Sequence, residues 1–497
     1  MIPSAMPRLT RAVVAVVFAT SLTACGTSNI NYVTGQQQRG AYTWAQEVQI
    51  GREADPQITA QFGLYDDANV NAYVQRVAQA VLQTSAYTDP NTPAEIRNTP
   101  FTFRVLDSPV VNAFALPGGF IYVTRGLLAH LDNEAQLAVV LGHEIGHVLG
   151  RHSSEQAARA QLGQLGLLGA AVLGGVVGGG RVAEGILNYG STGAQLLLLR
   201  YGRDAERESD QAGVAYASFA GYDAAQGSRF FTSLRRLTQE SGGGLPSFLS
   251  SHPDPGEREV TIRQLAAQYP QATETNAAEY LRAIDGIVIG ENPRQGFTEG
   301  NTFHHPDLRF SFDYPNGWTV NNSAQAVTIV APNQQAGLQF TLAQGTSAEA
   351  AARTFAGQQG LQVTQNRRIT VGGNPATRVE GTAQQQSGAV GFTATFIEYG
   401  GNVYQILGIA PQQSFNTQAG ALRQTADSFR RLTDSRLLNR QPTRLDVVTT
   451  TGTTTLQQML QGRTIPEGLN PERMAILNQV QLTESLPRGT ALKLPER

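Results

Sequence analysis

Cysteine is almost absent from this chain: 497 residues carry one, Cys25. That excludes an intrachain disulfide framework and any thiolate metal cage. Charge is also scarce, at 15% of residues, and balanced to a formal net of −2. No basic run and no acidic tail occurs, so nothing points to nucleic acid or to a strongly charged partner. Long apolar runs are missing as well. Ala12–Leu22 is too short to span a bilayer, and the uncharged run Leu162–Val177 is marginal for one. No repeat of 20 to 50 residues is visible, which excludes a solenoid. What remains is an ordinary globular composition, 41% hydrophobic, in a chain too long for one compact core.

The single cysteine has an informative place. Arg8 and Arg11 precede the apolar run, no acidic residue does, and "LTAC" follows it. That order is a secretory leader. "LTAC" resembles the bacterial lipobox, which implies cleavage before Cys25 and lipidation of its sulfur. Gly26, rather than Asp, follows the cysteine, and in Gram-negative lipoproteins this favours the outer membrane. Without Arg8 and Arg11 the net charge falls to about −4. Residues 1–24 are a leader on this reading, and 25–41 read as a flexible tether.

Helical spacing follows at Trp44–Phe62 and at Asp66–Gln83, the latter with Asp66 as a candidate cap. "FTFRVL" and Phe120–Thr124 read as strands, and Asp132 as a candidate cap for the next helix. Leu162–Val177 reads either as a buried helical hairpin or as a lid that faces membrane or active site. Leu197–Tyr216 is helical by pattern, and residues 271–301 look like a linker. From Phe303 the texture turns to strands: "LRFSFDYP" alternates, and "GFTATFIEYGGNVYQILGI" is a hairpin signal around Gly400–Asn402. Phe415–Leu432 reads as a helix, and Leu445–Leu494 as a short last unit.

The chemistry concentrates in "VVLGHEIGHVLGRH", Val139–His152. On a helix, His143 and His147 share a face and can point ring nitrogens at one ion. Glu144 lies about 100° further round, beside the ion rather than on it. This is the H-E-x-x-H arrangement of zinc hydrolases. With 7 histidines in the chain, chance produces the pattern in roughly one chain in 200 of this composition. The flanking residues are apolar, so both imidazoles are expected to be buried, and buried polar groups need partners. Two imidazoles and a carboxylate suit zinc, one ion per chain. "YGRDAERESDQAG" offers the carboxylate. Glu206 and Asp210 share one helical face, Glu206 as ligand and Asp210 as acceptor from a ligating histidine, while Glu208 points away. His130, His152, His304 and His305 read as structural or surface residues.

"HEIGH", the downstream "R-x-x-E-x-x-x-D" and the preceding "NAFALPGG" resemble the gluzincin metallopeptidase family that includes HtpX, BepA and the CAAX prenyl proteases. The match covers roughly Trp44–Tyr269. It implies His143, His147 and Glu206 as ligands and Glu144 as general base. It also implies an edge strand after "NAFALPGG" that pairs with substrate backbone, with Asn112, Ala113 and Phe114 near the cleft. Ser209 stands where the family often has Ala. "SSHPDPGER" resembles the His-Pro segment of the secreted, BepA-like branch. His252 is then either a fourth ligand, which displaces the catalytic water and keeps the enzyme latent, or a loop histidine beside the cleft.

"FHHPDLRFSFDYPNGWTV" and "SFRRL" resemble the PsbP/Mog1-like α+β fold, and "TTTLQQML" with "LPRGTALKLP" resembles a LysM-like module. The expected chain is multidomain. A mainly α-helical zincin (α+β) peptidase domain with a small edge-strand sheet covers 42–270. An α+β PsbP/Mog1-like domain covers 302–435, and a small LysM-like module covers 443–497. The resemblance implies a zinc endopeptidase, lipid-anchored through Cys25 in the periplasm. Its substrates would be misfolded or misassembled envelope proteins, and its last module would touch peptidoglycan. Two other readings compete: a chaperone or assembly factor with a latent, His252-blocked site, and a peptidoglycan-associated structural lipoprotein.

Overall fold

The computed structural model describes residues 27–159, 201–240, 248, 252, 255–385, 388–466 and 468–496. The leader, Cys25 and Leu162–Val177 lie outside the described residues.

The tether reading of 25–41 fails over its described part. Strands β1 (Thr27–Ile30) and β2 (Gln37–Gly40) pair antiparallel. The hairpin is tied to the end of the helix that carries the histidines. Tyr32 N–H donates to Leu149 O at 3.0 Å, and Gln38 Nε2 to Gly150 O at 2.7 Å. Helix α1 (Trp44–Phe62) starts at a capping box of Thr43 and Gln46. Helix α2 (Ala68–Gln83) is capped by Asp67, not Asp66, because the Asp67 carboxylate accepts from the N–H groups of Asn69 and Val70.

Strands β3 (Thr102–Leu106), β5 (Phe120–Thr124) and β4 (Ala113–Leu116) form a small sheet in that order. β3 runs parallel to β5 and β4 antiparallel to it, so the strand after "NAFALPGG", β5, is central rather than the expected edge, and the edge is β4, within that motif. After the short helix α3 (Arg125–His130) comes α4 (Glu134–Leu149), all sixteen residues of it buried. Its cap is Asn133, whose Oδ1 accepts from Gln136 N–H at 2.9 Å. Asp132, the residue expected to cap, is turned instead to Lys493 Nζ at 2.8 Å.

Helix α5 (Arg203–Phe219) crosses α4 at glycines. A Cβ on Gly213 would meet Val139 O at 2.8 Å and His143 N at 2.9 Å, and one on Gly146 would meet Ala212 Cβ at 2.9 Å. Backbones approach this closely only where side chains are absent or tiny. The approach carries Glu206 and Asp210, on the preceding turns of α5, up to His143 and His147. Helices α6 (Gln226–Glu240) and α7 (Pro255–Ala266) complete the layer.

Residues 271–301 are not a linker. Helix α8 (Ala277–Ile284) lies there with Tyr280 fully buried, and Thr275 O accepts from Glu134 N–H at 3.0 Å. Its polar flanks hide an eight-residue amphipathic helix in the sequence. The C-terminal unit runs β17 (Leu445–Thr449), two short helices, β18 (Ala491–Pro495), with the strands antiparallel. It shares one core with the histidine-bearing helix: Leu445, Leu456, Met474, Leu477, Leu492 and Leu494 are buried in the same cluster as Leu137 and Leu141. The unit is thus packed on the helical domain rather than strung after it.

Between them stands an α+β domain with its own core. Seven antiparallel strands run in the order Leu361–Val371, Asn374–Gln385, Gly388–Tyr399, Asn402–Pro411, Gly337–Leu342, Ala326–Val330, Thr319–Asn322. They pack against helices α9 (Ala348–Ala356) and α10 (Phe415–Asp427). The helix expected to run to Leu432 ends at Asp427, and Arg430–Arg431 instead pair with Phe310–Ser311.

Candidate metal centre

His143 and His147 lie one turn apart on α4 with both rings buried. Glu206 of α5 and His252 converge on them, so four side chains each offer one ligand atom within 4.8 Å of the others. The spacings are informative. His143 Nε2 is 3.0 Å from His147 Nε2 and 3.2 Å from His252 Nδ1. Glu206 oxygens lie 3.6 Å from His143 Nε2, 3.4 Å from His147 Nε2 and 2.9 Å from His252 Nδ1. A zinc ion with bonds of about 2.1 Å sits in a ligand tetrahedron whose edges are roughly 3.4 Å. With Glu206 Oε1 as the ligand atom, four edges of such a tetrahedron are therefore within about half an ångström of that length. The donor set fits zinc.

The rings of His143 and His147 each have a partner on the side away from the ligating nitrogen. His143 Nδ1 lies 3.0 Å from Asp210 Oδ1 and 3.1 Å from Arg258 Nη2. Asp210 is held in turn by Arg258, whose Nη2 lies 2.6 Å from Oδ1 and Nε 2.9 Å from Oδ2. Arg258 Nη1 stands 3.1 Å from Glu206 Oε2. Burial would raise Glu206, but His252 and Arg258 outweigh it and hold the carboxyl well below the usual range. Burial, reinforced by Arg258, lowers His143 to about 4, so its imidazole is neutral, as a ligand must be.

Glu144 is fully buried, and neither carboxylate oxygen has a hydrogen-bond partner among the described residues. Burial pushes its carboxyl up to about 7. His252 Nε2, also without a partner, lies 3.6 Å from Glu144 Oε1. Two unpaired polar groups that face each other at this cost mark a place built for a further polar occupant.

Of the other site residues expected from sequence, Asp210 stands beside His143 as described. Ala113 and Phe114 are in β4, and Asn112 immediately precedes it. The Phe114 ring stacks on Tyr122 at 4.8 Å in a satellite core with Ile58 and Leu106, so it faces away from the histidines.

Three residues escaped the sequence reading. His152 reads from sequence as structural or surface and is not among the ligand atoms, but Arg151 adopts a left-handed φ of 55° that turns the chain back after α4. His152 is thereby buried with Nδ1 2.9 Å from His147 Nδ1. Its Nε2 lies 3.2 Å from Glu208 Oε2, and Glu208 also accepts from Asn31 Nδ2 at 2.5 Å. Glu208 points away from the ligands but toward the ring behind one of them. The proton order is self-consistent. Glu208 accepts from His152 Nε2–H, His152 Nδ1 accepts from His147 Nδ1–H, and His147 Nε2 keeps its lone pair. Tyr201 covers His147, stacked at 4.0 Å, and Arg258 was present in "SSHPDPGER" without a sign of its role. Glu208→Ala and His152→Ala should each weaken zinc binding roughly 10-fold or more in a chelator competition, as losses behind a ligating histidine do. Asp204→Ala, at an exposed neighbouring carboxylate, should leave it unchanged.

Residues 67–266 match the family model described as Peptidase family M48. A beta-barrel assembly-enhancing protease of Yersinia pestis is 31% identical over 191 residues, 37% of this chain and 38% of that protein. The mitochondrial metalloendopeptidase OMA1 of Arabidopsis thaliana is 34% identical over 160 residues, 32% of this chain and 30% of that protein. The chain thus covers well under half the length of these relatives. Among solved structures, cyanobacterial PsbP from Synechocystis covers 27% of this chain and 95% of its own at 14% identity, with a TM-score of 0.22.

Proposed function

We propose, from the match of residues 67–266 to the model of peptidase family M48, that this chain is a zinc metalloendopeptidase that cleaves misfolded or misassembled envelope proteins. On this reading it is anchored by lipid at Cys25 in the periplasm, at the outer membrane. The observation that carries the activity is the near-tetrahedral group of His143, His147, Glu206 and His252 with the unpaired Glu144 carboxylate alongside. The substrate class draws on relatives named as beta-barrel assembly-enhancing proteases.

His143, His147 and Glu206 would hold the zinc ion, which would supply Lewis acidity to a scissile carbonyl and to a nearby water. Glu144 takes the proton of the attacking water and passes it to the leaving amine. Its raised affinity for a proton, caused by burial, suits that exchange near neutral pH. Asp210 and Arg258 fix the His143 ring, and the His152–Glu208 pair fixes His147. The outward edge of β4 holds the peptide extended by strand addition.

One observation favours a second reading. His252 Nδ1 takes a corner that hydrolytic zinc sites leave open for water. The chain is then a latent peptidase or a chaperone that works by binding, and a LysM-like last unit would add contact with peptidoglycan. Purified full-length chain should hold about one zinc by metal analysis. His252→Ala should cleave casein several-fold faster than wild type. Zinc present with no cleavage by His252→Ala would sink the peptidase reading, and suppression of aggregation by the same sample would support the chaperone.

A further inference from the structure

The peptidase reading leaves open which side chains the site accepts, and one buried ring bears on it. β4 bonds to β5 on one side only, and Thr124 N–H donates to Asn112 O at 3.0 Å. Asn112 therefore faces β5, and the alternation of an antiparallel pair turns the backbone groups of Val111, Ala113 and Ala115 to the open edge. The outward carbonyl of Val111 is already taken: Phe248 N–H donates to it at 3.2 Å. Phe248 thus makes the kind of main-chain bond that an extended substrate would make at this edge.

Four residues on, His252 N–H donates to Phe248 O at 2.8 Å, and His252 Nδ1 stands among the ligand atoms. The Phe248 ring is 1% exposed. Its walls are Phe230 at 5.7 Å, Phe231 at 6.2 Å and the His252 ring at 4.7 Å between centroids. The Arg258 guanidinium lies 4.3 Å over Phe231 and 5.8 Å over Phe248. The same Arg258 holds Asp210 and adjoins Glu206, so this aromatic pocket is continuous with the ligand group.

We propose that the pocket filled by Phe248 is the specificity pocket, and that it receives a large apolar side chain of the substrate. Phe248 and His252 then act together as an internal competitor. One presents backbone and side chain in the substrate's place, and the other fills the open corner. Cleavage falls beside Phe, Tyr, Leu or Met, residues that an unfolded chain exposes and a folded one buries.

The test uses full-length chain in detergent and a peptide library read by mass spectrometry. Wild type and Phe248→Ala should cut with large apolar residues enriched roughly 10-fold at one position flanking the bond, the range a hydrophobic pocket supplies. Phe248→Ala should cut faster. Phe248→Leu, which keeps an apolar plug, serves if the alanine variant fails to fold. In parallel, two peptide hydroxamates that differ in one side chain, benzyl against carboxymethyl, are titrated by calorimetry into zinc-loaded Glu144→Gln. Tighter binding of the benzyl compound, weakened by Phe231→Ala, supports the pocket without any turnover. Cleavage with no side-chain preference, or equal binding of the two hydroxamates, overturns it while leaving the peptidase intact. Selective binding with no cleavage in any form would overturn the peptidase reading and keep the pocket.

Discussion

Glu144→Gln abolishes peptide hydrolysis and leaves the zinc in place. The carboxylate is not one of the four side chains that converge as ligands, and its oxygens have no hydrogen-bond partner among the described residues. Gln has the same shape but takes no proton, so the attacking water is no longer activated. General-base catalysis contributes about 10²- to 10⁴-fold, and a fall of that size in kcat/KM is expected. The measurement pairs casein or peptide turnover with metal analysis of the same preparation. His252→Ala is the background of choice, since it removes the competing ring. Normal turnover by the Gln variant would refute the base assignment. Loss of zinc together with activity would mean that Glu144 holds the ion after all.

Lys493→Met destabilises the helical domain by about 3 kcal/mol, the scale on which breaking a buried charge pair acts. Lys493 is the only lysine in the chain, and it is buried. Its Nζ reaches Ala129 O at 2.9 Å, Leu131 O at 2.8 Å and Asp132 Oδ1 at 2.8 Å, at the end of α3 and in the turn that leads into α4. Met fills the volume of the stem but leaves two carbonyls and a carboxylate without their donor. The midpoint of urea unfolding, followed by tryptophan fluorescence, reads the loss. Being unique, the residue also offers a direct probe. An amine-acylating reagent should leave Lys493 unmodified in the native chain and label it once urea unfolds the domain. Rapid native labelling would show that the C-terminal unit is not docked as described.

The α4 motif was legible because its signal is local. H-E-x-x-H needs one helix, and an apolar run around two histidines implies burial whatever the rest of the chain does. Glu206 and Asp210 were legible for the same reason, once a ligand was required on a second helix. His152 was not, because its place depends on Arg151 leaving the helical path with a positive φ, which periodicity cannot foresee. Arg258 could have been suspected from its nearness to His252, but arginine near a histidine is no signal until Asp210 and Glu206 are seen around it. The residues read as tether, linker and separate module all turned out to be packed. Their polar or glycine-rich composition is what short hairpins and eight-residue helices look like, and only their contacts with α4 distinguish them from loops.

By itself the sequence determined the chemistry: a two-histidine helix, a carboxylate helix 60 residues on, and an α+β region of strands between Phe303 and Leu432. These follow from residue type and spacing along single elements. Tertiary structure alone decided what surrounds that chemistry. The Gly213 contact that sets α5 against α4, the entry of His252 and Phe248 to the ligand group and the open edge, and the single lysine that fastens the last unit to the turn before α4 join residues far apart in the chain. Such contacts arise from packing and from the need to pair buried polar groups, and no pattern within one element encodes them.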